Sequence, residues 1–348
     1  MEKLKQLTTK RLFLPLLCLI LMLICAVIAS PDFYRISIQN GMFYGRIIDV
    51  INRASELAIL AVGMTLVVAA SGGTDISVGS VMAVVAAVFC AVTAGGERTV
   101  NEYVNSPLLG ALAGLAVGLI CGCFNGLLVA KMKIQPMVAT LILFTAGRGI
   151  AQLITDGQIT YVRVESFKYL GSSIPGIPIP TTVFVAVAVI IFTLIIIKKT
   201  ALGMYIEAVG INSKASRLVG LNSTRIIFLA YAFCGICAAI AGCISASRIY
   251  SADANNIGLN LELDAILAVA LGGNSLGGGK FSLLGSVIGA YTIQTLTTTL
   301  YALSVPSDQI PVYKAIVVVI IVSLQSPALA RFRRRRKIKS TAGQKGAA

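Results

Sequence analysis

Histidine is absent from the 348 residues. No Ser-His-Asp triad, His-based proton shuttle or His metal ligand can be built. The thiols offer little more. Cys18, Cys25, Cys90, Cys121, Cys123, Cys234, Cys237 and Cys243 all lie in apolar stretches, which speaks against a disulfide framework or a zinc site. Cys234-Gly-Ile-Cys237 has the C-x-x-C spacing, but no second ligand pair follows it, and small residues in helix packing are the better explanation. The phosphate-cradling Gly-x-x-x-x-Gly-Lys-[Ser/Thr] is missing, so ATP is not bound by that device. What remains is a set of polar side chains embedded in apolar sequence: Asn125, Thr140, Arg148, Gln152 and Gln294. Such residues are costly in a bilayer and often functional. Arg148 has no acidic residue in its own segment to pair with. Two roles stay open for it, a tie to backbone carbonyls and a place beside a solute path. No cofactor or metal is expected.

The elements that carry these residues are long and apolar. Hydrophobic residues make up 57% of the chain and charged residues 12%, against about 25% charged in a soluble domain. The chain therefore falls in the membrane class. Ten apolar segments can be read, at 12–29, 57–70, 76–95, 107–130, 137–154, 181–197, 226–247, 263–273, 281–303 and 312–329. Most suit a hydrocarbon core of about 30 Å at a rise of about 1.5 Å per residue. Segments 57–70 and 263–273 are short. The first segment follows a basic flank, yet its apolar run exceeds that of a signal peptide, so it reads as a retained span. The predicted fold class is all-α: one polytopic transmembrane helical bundle over residues 1–348, with about ten spans and short Gly-broken segments.

The net charge of +15 must be sorted by side of the membrane before it is read as a nucleic-acid signal. With both termini inside, 20 of the 29 Lys and Arg fall on the inner side, one (Arg148) within a span and eight outside. Making either short segment re-entrant moves the basic 198–225 loop or the Arg-rich tail outside, against the positive-inside rule. The tail at 331–348, with its basic run Arg331–Lys339, reads as an inner-face anchor on anionic lipid, and no nucleic-acid partner is expected.

Ala58-Ile-Leu-Ala-Val62 recurs at Ala265-Ile-Leu-Ala-Val269, and Gly79-Ser80-Val81 parallels Gly285-Ser286-Val287. A true repeat and chance identity both stay open. Each copy passes through a Gly-rich break, at Ser71-Gly72-Gly73 and at Gly272-Gly273 to Gly277-Gly278-Gly279. Short, Gly-interrupted segments in the two halves of a transporter point towards a central pathway, since irregular backbone at that depth survives only inside protein or beside water. Gly110, Gly114 and Gly118, like Gly285 and Gly289, repeat at four-residue spacing and favour tight packing of helix faces. Gln135-Pro136 sets the entry of the following span.

The longest inner loop, 198–225, is too polar to cross the bilayer. Ala208, Ile211, Ala215 and Leu218 recur at helical spacing, which predicts a short amphipathic helix over 205–221 that lies on lipid or docks on a partner. Glu207-Ala208-Val209-Gly210-Ile211-Asn212 followed by Gly220 resembles the coupling loop of the permease subunits of bacterial ATP-binding-cassette importers for ribose, galactose and related sugars. Three further stretches resemble that family: Gly72-Gly73-Thr74-Asp75-Ile76-Ser77-Val78-Gly79, in which Thr74 departs from the pattern; Lys133-Ile134-Gln135-Pro136 through Thr140 to Arg148-Gly149; and Leu261-Glu262-Leu263-Asp264-Ala265-Ile266 leading to Gly272-Gly273. The four stretches stand in order with matching spacing, and the resemblance runs from about residue 46 to 329. Within the family, the phrases at 133–136, 206–212 and 251–256 resemble the galactofuranose branch most.

The resemblance implies an inner-membrane transport subunit that is not itself an enzyme. Its implied partners are an ATP-binding subunit, a second permease subunit (the same or related) and a periplasmic sugar-binding protein. It also implies that Glu207, Ala208, Gly210, Asn212 and Gly220 meet the ATPase. A solute path is expected beside Asp75, Asn125, Arg148 and Asn274, which stand near the breaks. The rival readings are a permease for branched-chain amino acids or another small solute, an ATP-independent secondary transporter, and an intramembrane enzyme. The last lacks histidine, a metal-ligand cluster and paired intramembrane carboxylates.

Overall fold

A computed structural model describes residues 12–39 and 41–325; the basic flank at 1–11 and the tail at 331–348 lie outside the described residues. Among the described residues, 71% are helical. Twelve α-helices are described: α1 Phe13–Ala29, α2 Arg46–Ser71, α3 Val78–Thr93, α4 Pro107–Gly126, α5 Pro136–Ile154, α6 Thr181–Lys199, α7 Leu202–Ile211, α8 Ser213–Leu218, α9 Ser223–Ile249, α10 Leu261–Leu271, α11 Leu283–Ala302 and α12 Ile310–Gln325. Five of these (α2, α4 with its following turn, α5, α6 and α9) are long and apolar enough to cross a membrane, and shorter apolar helices accompany them. Helix starts follow local chemistry. Pro107 and Pro136 occupy first-turn positions, where the missing N–H costs nothing, and the Asn222 side chain accepts from Arg225 N at 3.0 Å to cap α9.

Helix α2 is the axis of the bundle. Its most apolar stretch is 94% buried, whereas that of α6 is 17% buried and turns outward. Helices α9, α11, α10, α6 and α7 pack around α2, and α3, α4 and α5 extend the bundle on the α9 side. Close approach is bought by small residues. Gly118 and Gly122 of α4 meet Gly235 and Ala239 of α9, and Gly63 of α2 meets Cys234 and Cys237. The C-x-x-C pair is thus a packing surface between α2 and α9.

Two readings need correction. The short segment 57–70 is the apolar end of α2, a 26-residue helix of about 39 Å. Its first turns were missed because Arg46, Asp49, Arg53 and Glu56 interrupt the apolar run. By contrast α10 has 11 residues, about 16 Å, roughly half the hydrocarbon core. The expected single helix over 205–221 is two helices broken at Asn212, whose backbone is extended (φ −158°, ψ 96°). Sequence also gave no sign of five short strands. β1 (Ser37–Gln39) pairs antiparallel with β2 (Met42–Tyr44). β3 (Thr99–Val100) runs parallel to β4 (Thr160–Val162), which pairs antiparallel with β5 (Ser251–Ala252).

These strands gather the loops around 99, 161 and 251 at one end of the bundle. The Phe43 amide, donating to the Pro178 carbonyl at 3.4 Å, joins the β1–β2 hairpin to that end. At the other end of α2, Gly72 meets Gly277 and Gly278, Gly73 meets Pro136, and Gly210 meets Ala69 and Gly279.

Candidate functional site

The end of α2 at Gly72 is a junction of three backbones. Gly72 closes α2 with left-handed φ (66°), and its N–H donates to the Val68 carbonyl. The Gly279 N–H donates to the Ala69 carbonyl at 3.0 Å, which draws the α10–α11 loop onto α2. Gly210 of α7 completes the contact. A Cβ there would overlap the Ala69 carbonyl oxygen and come within 2.6 Å of Gly279 N, so no larger residue fits. The exposed helix pair α7–α8 is thereby in van der Waals contact with the central helix and with the α10–α11 hairpin. Asn212 sits at the bend, its Oδ1 accepting from Lys214 N and Ala215 N at 3.1 and 3.0 Å as the cap of α8. Gly220 ends that helix with φ 87° and has open space around it. Glu207 and Ala208 are half-buried, while Met204, Ile211, Leu218 and Val219 stand more than half exposed. Of the expected stripe, Ile211, Ala215 and Leu218 are exposed and Ala208 is half-buried, while Met204 and Val219 extend the apolar surface.

The four residues expected beside a path separate into three places. Asp75 and Asn125 meet: Asn125 Nδ2 lies 3.4 Å from both Asp75 oxygens and 2.8 Å from Ser77 Oγ. Asp75 Oδ1 accepts from the Ser77 amide at 2.9 Å and hydroxyl at 2.7 Å, holding the irregular 72–77 stretch at the start of α3. Arg148 lies elsewhere, with Nη1 donating to the carbonyls of Ala254, Asn255 and Ile257 at 2.9, 3.3 and 2.6 Å. It fastens the run of turns that leads into α10. Asn274 stands just past α10, its Nδ2 donating to Ser286 Oγ at 2.8 Å and its Oδ1 accepting from the Ser282 amide at 2.6 Å. Thr65 Oγ1 reaches the same Ser286 Oγ at 2.7 Å, which links α2 to α11. Each residue holds a break in the helical backbone, as buried polar groups there must.

A cavity of about 830 Å³ lies between α2, α10, α11 and α12, at the opposite end of α2 from the glycine junction, and none of the four residues above lines it. Its walls include Arg46, Asp49 and Arg53 of α2, Asp264 of α10, and Gln294, Thr297, Thr298 and Tyr301 of α11. Lys314 of α12 also lines it and forms an ion pair with Asp264 at 2.7 Å, both side chains being largely buried.

With this geometry in view, the chain can be set beside known proteins. Residues 46–324 match the family model described as branched-chain amino acid transport system / permease component. The match covers all of the bundle from α2 to within α12. The chain belongs to this permease family. It is 47% identical to the galactofuranose transporter permease protein YtfT of Escherichia coli K12, over 89% of this chain and 88% of that one. It is 38% identical to the fructose import permease protein FruF of Bifidobacterium longum, over 97% and 95% of the two chains. It is 35% identical to the ribose import permease protein RbsC of E. coli K12, over 88% and 91%. No solved structure matches it. The permease is a transport subunit of the inner membrane and not an enzyme.

Sequence reasoning singled out Gly72, Gly73, Gly210, Gly277, Gly278 and Gly279 without foreseeing that they meet, and it missed the permease's cavity. Gln294 stood out as a polar residue in a span, but Thr297, Thr298 and Tyr301 did not. Threonine and tyrosine are ordinary in membrane helices, and only their shared face, visible as the spacing i, i+3, i+4, i+7 from Gln294, could have marked them.

Proposed function

We propose that this permease is the membrane-spanning subunit of an ATP-driven importer that carries a monosaccharide inward, galactofuranose or a sugar of similar size. The observation that carries the mechanism is the contact of Gly210 with both Ala69 and Gly279. A push on α7–α8 reaches α2 and the α10–α11 hairpin with no intervening flexible side chain. In this reading an ATP-binding partner seats on the exposed Met204, Ile211, Leu218 and Val219 surface beside Glu207 and Ala208, Asn212 keeps α7 and α8 at a fixed bend, and Gly220 ends the moving unit. The bundle crosses the membrane about ten times with both termini inside. A second permease and an outer sugar-binding protein complete the assembly. Asp75, Asn125, Arg148 and Asn274 hold the broken backbone beside the route that the solute takes. The named relatives carry sugars, which favours a sugar over the amino acids in the family's description.

The test is uptake by proteoliposomes holding the purified complex. Sugar accumulation requires ATP and the ATP-binding partner, and leucine neither enters nor competes. Gly210→Val inserts and assembles but lowers uptake by roughly tenfold or more, since overpacking of this kind costs about 1–3 kcal/mol at the contact. Full-rate uptake without nucleotide, or by Gly210→Val, refutes the mechanism.

A further inference from the structure

Two helices turn polar stripes towards the cavity between α2, α10, α11 and α12. On α11, Gln294, Thr297, Thr298 and Tyr301 share one face and line it. On α2, Arg46, Asp49 and Arg53 do the same. A membrane helix against lipid has no use for such a face, and one against protein would be matched by partners across the contact. The side-chain hydrogen bonds of this face stay within α11 instead: Thr297 Oγ1 donates to the Ile293 carbonyl at 2.9 Å, and Gln294 Nε2 to Thr298 Oγ1 at 3.3 Å. Hydroxyl lone pairs and an amide oxygen are left for a ligand.

The chemistry of the walls selects among ligands. Asp264 and Lys314 neutralise each other, and Arg46, Asp49 and Arg53 leave the walls one net positive charge, carried on exposed side chains where solvent ions screen it, so charge alone sets no strong preference for an anion. Leu263, Leu267 and Tyr301 add apolar and aromatic surface suited to the C–H face of a sugar ring. The volume of about 830 Å³ lies within the range of small-molecule sites. The same elements that line the cavity, α2 and the α10–α11 hairpin, meet Gly210 at the other end. From Arg53 to Ala69 is about 24 Å along α2, so the helices that receive the push also wall the cavity.

We infer that this cavity is an outer holding site for one neutral monosaccharide, with Gln294, Thr297, Thr298 and Tyr301 as the wall that reads its hydroxyl groups. The inference rests on the transport reading above.

The complete transporter, with its ATP-binding and sugar-binding partners, is assayed in proteoliposomes with radiolabelled D-galactose, D-fructose and D-ribose, and the sugar that wild type carries becomes the probe. Gln294→Leu and Thr298→Val each lower its uptake by roughly tenfold, the effect of one lost hydrogen bond, while the complex still co-purifies intact. Thr145→Val, which removes an exposed hydroxyl on α5 bonded to its own Leu141 carbonyl, leaves uptake unchanged. A thiol placed by Thr298→Cys reacts with a membrane-impermeant maleimide above the wild-type background, and the probe sugar slows that reaction severalfold. If wild type carries none of the three sugars with ATP, the transport reading itself fails. If wild type carries one, normal uptake by both α11 variants overturns the holding site. So does a thiol at 298 that is unreactive, as when lipid or a second permease fills the cavity, or one labelled at the same rate with and without sugar.

Discussion

Arg248 and Glu56 show how single residues hold this bundle. The pair joins α9 to α2 at 2.6 Å, with both side chains largely buried. Arg248 Nε also donates to the Gly171 carbonyl at 3.2 Å. Glu56 Oε1 and Arg248 Nη2 have no protein partner, so the pair is only partly satisfied. Breaking such a pair from one side costs about 3–5 kcal/mol, because the surviving charge stays buried. Glu56→Ala is therefore expected to lower the thermal midpoint of the purified complex sharply. Adding Arg248→Met to that variant recovers part of the loss, since no charge is then stranded. A double variant no more stable than Glu56→Ala would show that the two residues are not coupled. Neither residue attracted notice in the sequence. Glu56 falls just before the apolar segment 57–70, and Arg248 just after the segment 226–247. Charge alone places a residue at a membrane surface, and only the partner from a distant helix explains its burial. Arg148 was legible to a greater degree. A lone cation in an apolar segment must find acceptors, and three carbonyls of the 254–257 turn supply them.

Among the elements, the α10–α11 hairpin depends most on close approach. Gly289 of α11 lies on the Ala268 carbonyl of α10, and Gly285 lies on Gly272. The four-residue spacing of these glycines announced a tight face in the sequence, and the structure supplies its partner. Gly289→Leu is expected to force the helices apart, to cost about 1–3 kcal/mol by overpacking, and to loosen the Thr65–Ser286–Asn274 chain of hydrogen bonds above it. Gly149→Ala has the opposite sign. A Cβ there meets open space, and the gain in helix propensity is about 0.4–1 kcal/mol. Thermal unfolding of the two purified variants checks both directions, and a Gly289→Leu protein as stable as wild type would remove the hairpin contact from the account. Helix boundaries at proline or at the end of an apolar run, as in α4, α5 and α6, were readable to within a few residues. The start of α2 and the bend at Asn212 were not. The first depends on polar residues that face the cavity or a buried partner. The second depends on a backbone turn that helical spacing at Ala208, Ile211, Ala215 and Leu218 runs straight through.

For the whole molecule, the arrangement of loops carries the strongest consequence. The basic bias of the sequence predicts the loops near 99, 161 and 251 on one side of the membrane and those near 133, 214 and 275 on the other. The strands β3, β4 and β5 bring the first three together. The glycine junction joins the loop at 277–279 to α7, beside Lys214. Helix α10 tests the scheme most severely, because at about 16 Å it covers only part of the depth. On the ten-crossing scheme the turns at 253–260 cover the rest; there Gly258 lies on Gly79 at the start of α3 and Arg148 fastens the carbonyls. Irregular backbone is tolerable there because protein surrounds it. Thiols placed one at a time by Arg98→Cys, Arg163→Cys and Ser307→Cys are therefore expected to react with a membrane-impermeant maleimide added outside intact cells. Those placed by Lys214→Cys, Leu218→Cys and Ser275→Cys react only once the membrane is opened. A thiol at 275 that reacts from outside would make α10 a re-entrant hairpin, move every later crossing by one, and break the link between the inner loop and the cavity wall.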